Sequence, residues 1–365
     1  MFSIALTVLP LVLGQQPVAP APPAPAVAVL VSTRGDNAVR LFSADLKEIA
    51  RLDAGLGAHE LAVSPNGRWA LGSAYGGPGQ GHQPADNRLV VLDLKTGAIH
   101  KTITFPDHKR PNDIAFLPGA GVAIVTLEMP PALARVDAEA GTFAILPVAA
   151  KANHMMALSP DGAAAYIAHV MPGSVTIMNL ADGKELATIS TPPGAEGIAC
   201  APNGKSVWVA CNRADKLIVI DADARAVKQT IDLPGFPFRV RISPDGKTVA
   251  VSLPKSGELA LIDPAKPAEP RRIVLSPHSP DPADAPAPAD GKPIPKPAKL
   301  VPTSIAFTAD GAHIVAMCDG PSPHLVKVRI ADGAVTHREP ITGPIPDALA
   351  CTPAAAAPTS APPAR

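Results

Sequence analysis

The chain of 365 residues carries 45 prolines and 28 glycines, only 3% aromatics, and 47% hydrophobic residues. So much Pro and Gly, with Val, Ile, Leu and Ala in short bursts, argues against long helices and for many brief strands. The 32 basic and 32 acidic residues cancel without any block of like charge, so neither nucleic acid nor an anionic membrane surface is indicated as a partner.

The chain opens with "MFSIALTVLPLVLGQQ", whose apolar run from Ile4 to Leu13 is too short to span a bilayer. It is read as a signal peptide over residues 1–14, although no Lys or Arg precedes the run. The expected location is therefore extracytoplasmic, periplasmic or secreted. No cysteine follows the run, which argues against a lipoprotein anchor. Residues 15–26 read as a Pro/Ala-rich linker, 27–353 as one folded unit, and 354–365 as a disordered tail.

A turn of the form S-P-D-G recurs along residues 27–353. Its proline, or the residue that replaces it, falls at Pro65, Pro118, Pro160, Pro202, Pro244, Ala309 and Pro353. The steps are 53, 42, 42, 42, 65 and 44, a unit of 42 residues with insertions at 74–87 and 276–302. One unit, from Glu196, contains four strand-length runs at 197–201, 206–211, 216–221 and 227–233, separated by P-N-G, N-R-A-D and D-A-D-A turns. Four antiparallel strands per unit form a propeller blade. Six full units begin near His59, Asn112, His154, Glu196, Phe238 and Thr303. The remaining strands, three at the N-terminus ("VAVLVS", "NAVRLF", "EIARLD") and one at the C-terminus ("PDALACTP"), complete a seventh blade. The expected fold is all-β: a seven-bladed β-propeller of four-stranded antiparallel blades, closed by pairing the C-terminal strand with the N-terminal blade, and acting as a monomer.

The tetrapeptides "YIAH" (166–169) and "WVAC" (208–211), the strands "LIVID" (217–221) and "LALID" (259–263), and "VVLDLKTG" (90–97) accompany those turns. In this set the chain resembles the YVTN-type, YncE-like seven-bladed propeller repeats over residues 27–353, departing at "LPGA", "TADG" and both insertions. The resemblance implies an extracytoplasmic propeller, and it says little about activity, because that fold hosts many roles.

If the four strands of a blade are named a to d, the b–c and d–a loops share one face, the top. Both insertions fall there, as do His59, His82, His108, His154, His169, His278 and His324, whereas His100, His313 and His337 lie toward the other end. Insertions on one face of a rigid scaffold are where binding commonly resides. The second, rich in Pro, Ala and Asp, reads equally well as a plain surface loop.

The residue five places before each turn serine forms a ring at the upper mouth of the central channel: His59, Asn112, His154, Glu196, Phe238, Thr303 and Asp347. His59, His154 and Glu196 are ligand types that suit zinc or another transition metal, and they equally suit acid–base work. Water-bridged polar groups are the commoner content of such a mouth, so no cofactor is assigned. The residue two places before the serine is Ala62, Ala115, Ala157, Ala199, Arg241, Ala306 or Ala350. Arg241, with Arg239 nearby, must find a carboxylate within the protein or draw an anionic ligand into the channel.

Cys200, Cys211, Cys318 and Cys351 form no C-x-x-C or C-x-x-C-H pattern and are expected as small packed residues, not as zinc ligands, haem attachments or disulfides. "GGPGQG" in the first insertion has no strand-to-helix context and reads as linker. No G-x-S-x-G, H-E-x-x-H or EF-hand loop is present. The sequence reading is a binding module whose top face takes a protein, peptide, small-molecule or envelope ligand. The alternatives are a purely structural disc, or an enzyme at the top mouth, either a lactonase-like hydrolase or a metal- or quinone-dependent oxidoreductase.

Overall fold

The computed structural model describes residues 26–55, 57–77, 84–119, 121–146, 154–275 and 300–353. The expected signal segment, nearly all of the linker, the tail, and much of both insertions, with His82 and His278, lie outside the described residues.

The recurring turn explains itself chemically. In "SPDG" the Ser159 hydroxyl donates to Asp161 Oδ1 at 2.5 Å and accepts the Ala164 N–H at 2.9 Å, while Asp161 Oδ1 also accepts the Ala163 N–H at 3.0 Å. Ser243 and Asp245 repeat the pattern at 2.6 Å. The glycine that ends the turn sits at φ 71 in Gly162 and φ 72 in Gly246, a region where a Cβ is strained. Each such hairpin opens one four-stranded antiparallel blade. In the blade begun by Glu196 the strands are Ala195–Cys200, Ser206–Cys211, Lys216–Asp221 and Ala226–Asp232, each end within two residues of the expected run.

Seven such sheets are present among the described residues. Blades 1 to 6 occupy 58–104, 109–146, 156–190, 195–232, 240–274 and 301–340. Blade 7 uses both ends of the chain: strand a, Pro346–Cys351, pairs antiparallel with strand b, Val29–Thr33, in the register Val29↔Cys351 and Val31↔Leu349. Strands c and d, Ala38–Phe42 and Glu48–Asp53, follow in order.

Each a strand packs against the a strands of its two neighbours, and the contacts close into a ring, so strand a is innermost and lines the channel. Apolar clusters fill the spaces between neighbouring blades. Trp69, Leu71, Ile114 and Val125 join blades 1 and 2, and Leu30, Val39, Leu61 and Ala70 join blades 7 and 1. Leu30 and Val31 in the N-terminal strand are wholly buried. Each contributes roughly 1.5–3 kcal/mol by burial alone, so the closing strand fastens the ring strongly. Cys211 and Cys318 are buried, Cys200 and Cys351 are half-buried, and all four are free thiols.

Candidate functional site: the channel mouth and the buried ring beneath it

A one-residue bulge shapes the upper end of strand a. In blade 1, Ala58 pairs with Ala74 but Leu61 pairs with Gly72, which leaves His59 and Glu60 to span one residue of the partner strand. The same irregularity falls at Asn112 and Asp113, at Glu196 and Gly197, and at Asp347 and Ala348. A bulge kinks the strand and re-aims its side chains, so two consecutive residues can serve the channel where a regular strand would offer one. It also removes a ladder partner from the second residue's N–H. Hydroxyls on strand b replace it: Ser73 Oγ accepts from Glu60 at 3.0 Å, Thr126 Oγ1 from Asp113 at 2.9 Å, Ser252 Oγ from Arg239 at 3.0 Å, and Ser32 Oγ from Ala348 at 2.8 Å.

Five of the seven expected ring residues join in one polar belt. His59 Nδ1 donates to Asp347 Oδ2 at 2.5 Å, and Arg34 forms an ion pair with the same carboxylate. His59 Nε2 lies 3.1 Å from Asn112 Oδ1, and the Asn112 amide donates to Glu128 Oε1 at 2.6 Å and lies 3.0 Å from His154 Nδ1. His154 Nε2 donates to Glu196 Oε1 at 2.8 Å, and Asn212 reaches Glu196 Oε2 at 3.5 Å. Phe238 and Thr303 stand apart: Phe238 stacks with Phe236 at 6.2 Å, and the Thr303 hydroxyl donates to the Met317 carbonyl at 3.5 Å.

Charge follows this wiring. Burial would lower the His154 imidazole, but Glu128 and Glu196 overcome it and raise it to about 10, so the ring is a cation at neutral pH. Burial would raise Asp347, but His59, Arg34 and Arg239 hold its carboxyl at about 2. Tyr75 completes the mouth: its hydroxyl donates to Glu128 Oε2 at 2.7 Å, and its ring takes Arg110 at 4.5 Å, Arg34 at 5.5 Å and the His59 imidazole at 4.8 Å. Burial, then the Glu128 charge, raises its phenol. Arg110 is almost wholly buried and holds φ 56, a backbone region that a non-glycine residue seldom occupies.

Beneath the belt, four places before the serine of each turn or the residue in its place, runs a buried ring that the sequence did not single out as a ring: Glu60, Asp113, Met155, Gly197, Arg239, Ser304 and Ala348. Arg239 forms a buried ion pair with Glu60 across the channel, and its other terminal nitrogen lies 2.9 Å from Met155 Sδ. Arg241 sits lower still, in a cavity of about 280 Å³ whose lining includes Asp113, Leu61 and Leu349 but no residue of the mouth ring. Arg239 and Arg241 therefore belong to the interior of the channel and not to its mouth. The expected carboxylate partner exists for Arg239 but, among the described residues, not for Arg241.

Arg34, Tyr75, Glu128 and Asn212 also escaped the sequence reading. A signal for them exists. Each lies two residues beyond one strand-b position, filled by Ser32, Ser73, Thr126 and Ala210, so the register of strand b marks them as strand a marks the ring. The remaining top-face histidines among the described residues bond within their own blades: His108 to the Pro130 carbonyl at 3.0 Å, His169 to Thr176 Oγ1 at 2.9 Å, and His324 to the Ser322 carbonyl at 2.7 Å. Among the described residues no three His, Cys, Asp or Glu side chains are placed to hold a metal ion. His59, His154 and Glu196 are instead spread along the belt as hydrogen-bonding neighbours.

No protein-family model matches the chain, and no curated protein matches it. Solved structures do. A functionally unknown protein from Desulfotomaculum acetoxidans is 13% identical with a TM-score of 0.69, over 90% of this chain and 99% of that one. The β-propeller domain of Myceliophteria thermophila Cps50 (Swd1) is 11% identical with a TM-score of 0.61, over 80% and 92%. Dihydro-heme d1 dehydrogenase NirN in complex with DHE is 18% identical with a TM-score of 0.56, over 93% and 77%. At such identities the likeness is one of fold, and the roles of these neighbours differ. Among the described residues no helix is long and apolar enough to cross a membrane.

Proposed function

We propose that the protein is an extracytoplasmic propeller of the YVTN type that binds a protein, peptide or envelope ligand on its top face, seated over the channel mouth. The belt from Arg34 to Glu196 carries this reading. Its charged groups remain reachable, with side-chain exposures of 21% for His154, 22% for Asp347 and 16% for Arg34, while Glu128 and Glu196 hold them from 9–10% exposure below. Donors and acceptors fixed on strand ends lose little entropy when a ligand orders against them. The apolar segment from Ile4 supports export. The enzyme alternative needs the mouth ring and Arg241 in one pocket, and the Glu60 to Arg239 pair lies between them, which favours binding over catalysis.

A random-peptide library panned on the native protein and on the folded double variant His59→Ala, His154→Ala tests the proposal. The expected result is a family of sequences enriched by the native mouth alone. Equal enrichment by both proteins, or enrichment by neither, removes the mouth as the binding site.

A further inference from the structure

A guanidinium carries five N–H donors. Among the described residues that of Arg241 makes a single hydrogen bond, from Nη1 to the Val240 carbonyl at 3.1 Å. The nearby carboxylates make their hydrogen bonds elsewhere, although the Asp113 charge also acts on Arg241. Glu60 is paired with Arg239, and Asp113 accepts the Ile114 and Met156 N–H groups at 2.9 and 2.6 Å. The rest of the cavity wall is apolar, with Leu61, Ile114, Met156 and Leu349 facing the same space of about 280 Å³. Arg241 is only half-buried, so its remaining donors face the open space of the channel, where they can take an anion that enters it.

We propose that this lower part of the channel is a binding site for a small organic carboxylate, its carboxylate group on the Arg241 fork and its hydrocarbon tail against Leu61, Ile114, Met156 and Leu349. The planar fork matches the two oxygens of a carboxylate, and the apolar wall selects an acid with a tail over an inorganic anion. Pockets for drug-sized molecules begin at about 300 Å³, so this space suits an acid of a few carbons. Ala62, Ala115, Ala306 and Ala350 keep the channel wide at this level, below the Glu60 to Arg239 pair, which separates the site from the mouth.

Asp113 makes the site responsive to pH. Burial and the Glu60 charge raise its carboxyl to about 6, against the Met156 N–H and the charges of Arg241 and Arg239. Ionised, it repels an incoming carboxylate; protonated, it offers a donor. Of the charged groups facing it, both arginines stay cationic and Glu60 stays tied to Arg239, so binding strengthens as pH falls through about 6.

Isothermal titration with sodium butyrate, 1-butylamine and 1-butanol, each up to roughly 50 mM, tests the site on the native protein. Saturable binding of butyrate alone is expected, several-fold tighter at about pH 5 than at about pH 7.5. Loss of a charged hydrogen-bonding partner should weaken it by about tenfold or more in Arg241→Gln, and filling the cavity should do the same in Ala306→Leu. Three outcomes overturn the proposal: no saturable heat, equal binding of all three probes, or full affinity in a folded Arg241→Gln protein. Should that variant not fold, the comparison of the three probes decides alone.

Discussion

Glu60 and Arg239, 179 residues apart in the chain and each only 3% exposed, meet across the channel from blades 1 and 5. Two charges taken from water into the centre of the ring are tolerable only as a pair. Glu60→Ala leaves the guanidinium buried without its ion-pair partner, and should cost about 3–5 kcal/mol of stability. The double replacement Glu60→Leu, Arg239→Met removes both charges at similar volume and should fall close to the native protein. Urea unfolding midpoints of the three proteins check this; a single variant as stable as the double one would mean that the pair is no more than a solvated contact.

His154 predicts a pH profile. Its folded value, raised to about 10, lies above the unfolded value of about 6.5. The stability it supplies is therefore complete below about pH 6.5 and is lost as pH rises toward 10. Glu128 and Glu196 are held low despite burial, chiefly by hydrogen bonds to His154, and their contribution is present above their unfolded range and lost on acidification. Native urea resistance should decline between about pH 7 and 10, and His154→Gln should begin lower and show a flatter alkaline limb. Imidazole NMR supplies the direct reading: one ring still protonated at about pH 8, where an ordinary histidine is neutral.

The architecture was legible because its signals are local and repeated. Ser159 and Asp161 make their turn from their own side chains, Gly162 supplies its positive φ, and the period of 42 residues carries that turn around the ring. The mouth was half legible. A fixed offset from the turn found His59, Asn112, His154, Glu196 and Asp347, because strand a runs in one direction into the same turn in every blade. Glu60 and Asp113 were passed over because a regular strand would turn alternate residues away from the channel, and the bulge beside Ala58 and Pro111 that breaks this alternation leaves no mark at its own position. Its mark lies a strand away, in the hydroxyls of Ser73 and Thr126 that accept the freed N–H groups.

Those hydroxyls yield a prediction of their own. Ser73, Thr126 and Ser252 are buried, and each accepts a backbone N–H that has no ladder partner. Ser252→Ala leaves the Arg239 N–H unsatisfied and should cost about 1–3 kcal/mol. Thr126→Val keeps the shape but removes both the acceptor and the hydroxyl's own donation to the His154 carbonyl at 3.1 Å, so it should cost at least as much. Ala210, at the equivalent place in blade 4, needs no such group because the Gly197 N–H bonds to the Phe238 carbonyl at 2.9 Å, so Ala210→Ser should bring no gain. Chemical denaturation of the three variants separates the outcomes, and equal stability of Ser252→Ala and the native protein would show that water fills the gap.

The cysteines supply the last test. Burial pushes the thiols of Cys200 and Cys211 up to about 11 and those of Cys318 and Cys351 to about 12. Thiolates are the reactive species, so at about pH 8 the folded protein should resist a thiol-specific chromogenic disulfide and release the full signal of four free thiols only in denaturant. Cys351 lines the same cavity as Arg241, so its slow labelling reports on access to that part of the channel. If butyrate enters there, it should slow the labelling of Cys351 and leave Cys318, enclosed between blades 5 and 6, untouched. Rapid labelling of Cys211 or Cys318 in the folded protein would show that the blades part far more readily than their packing implies.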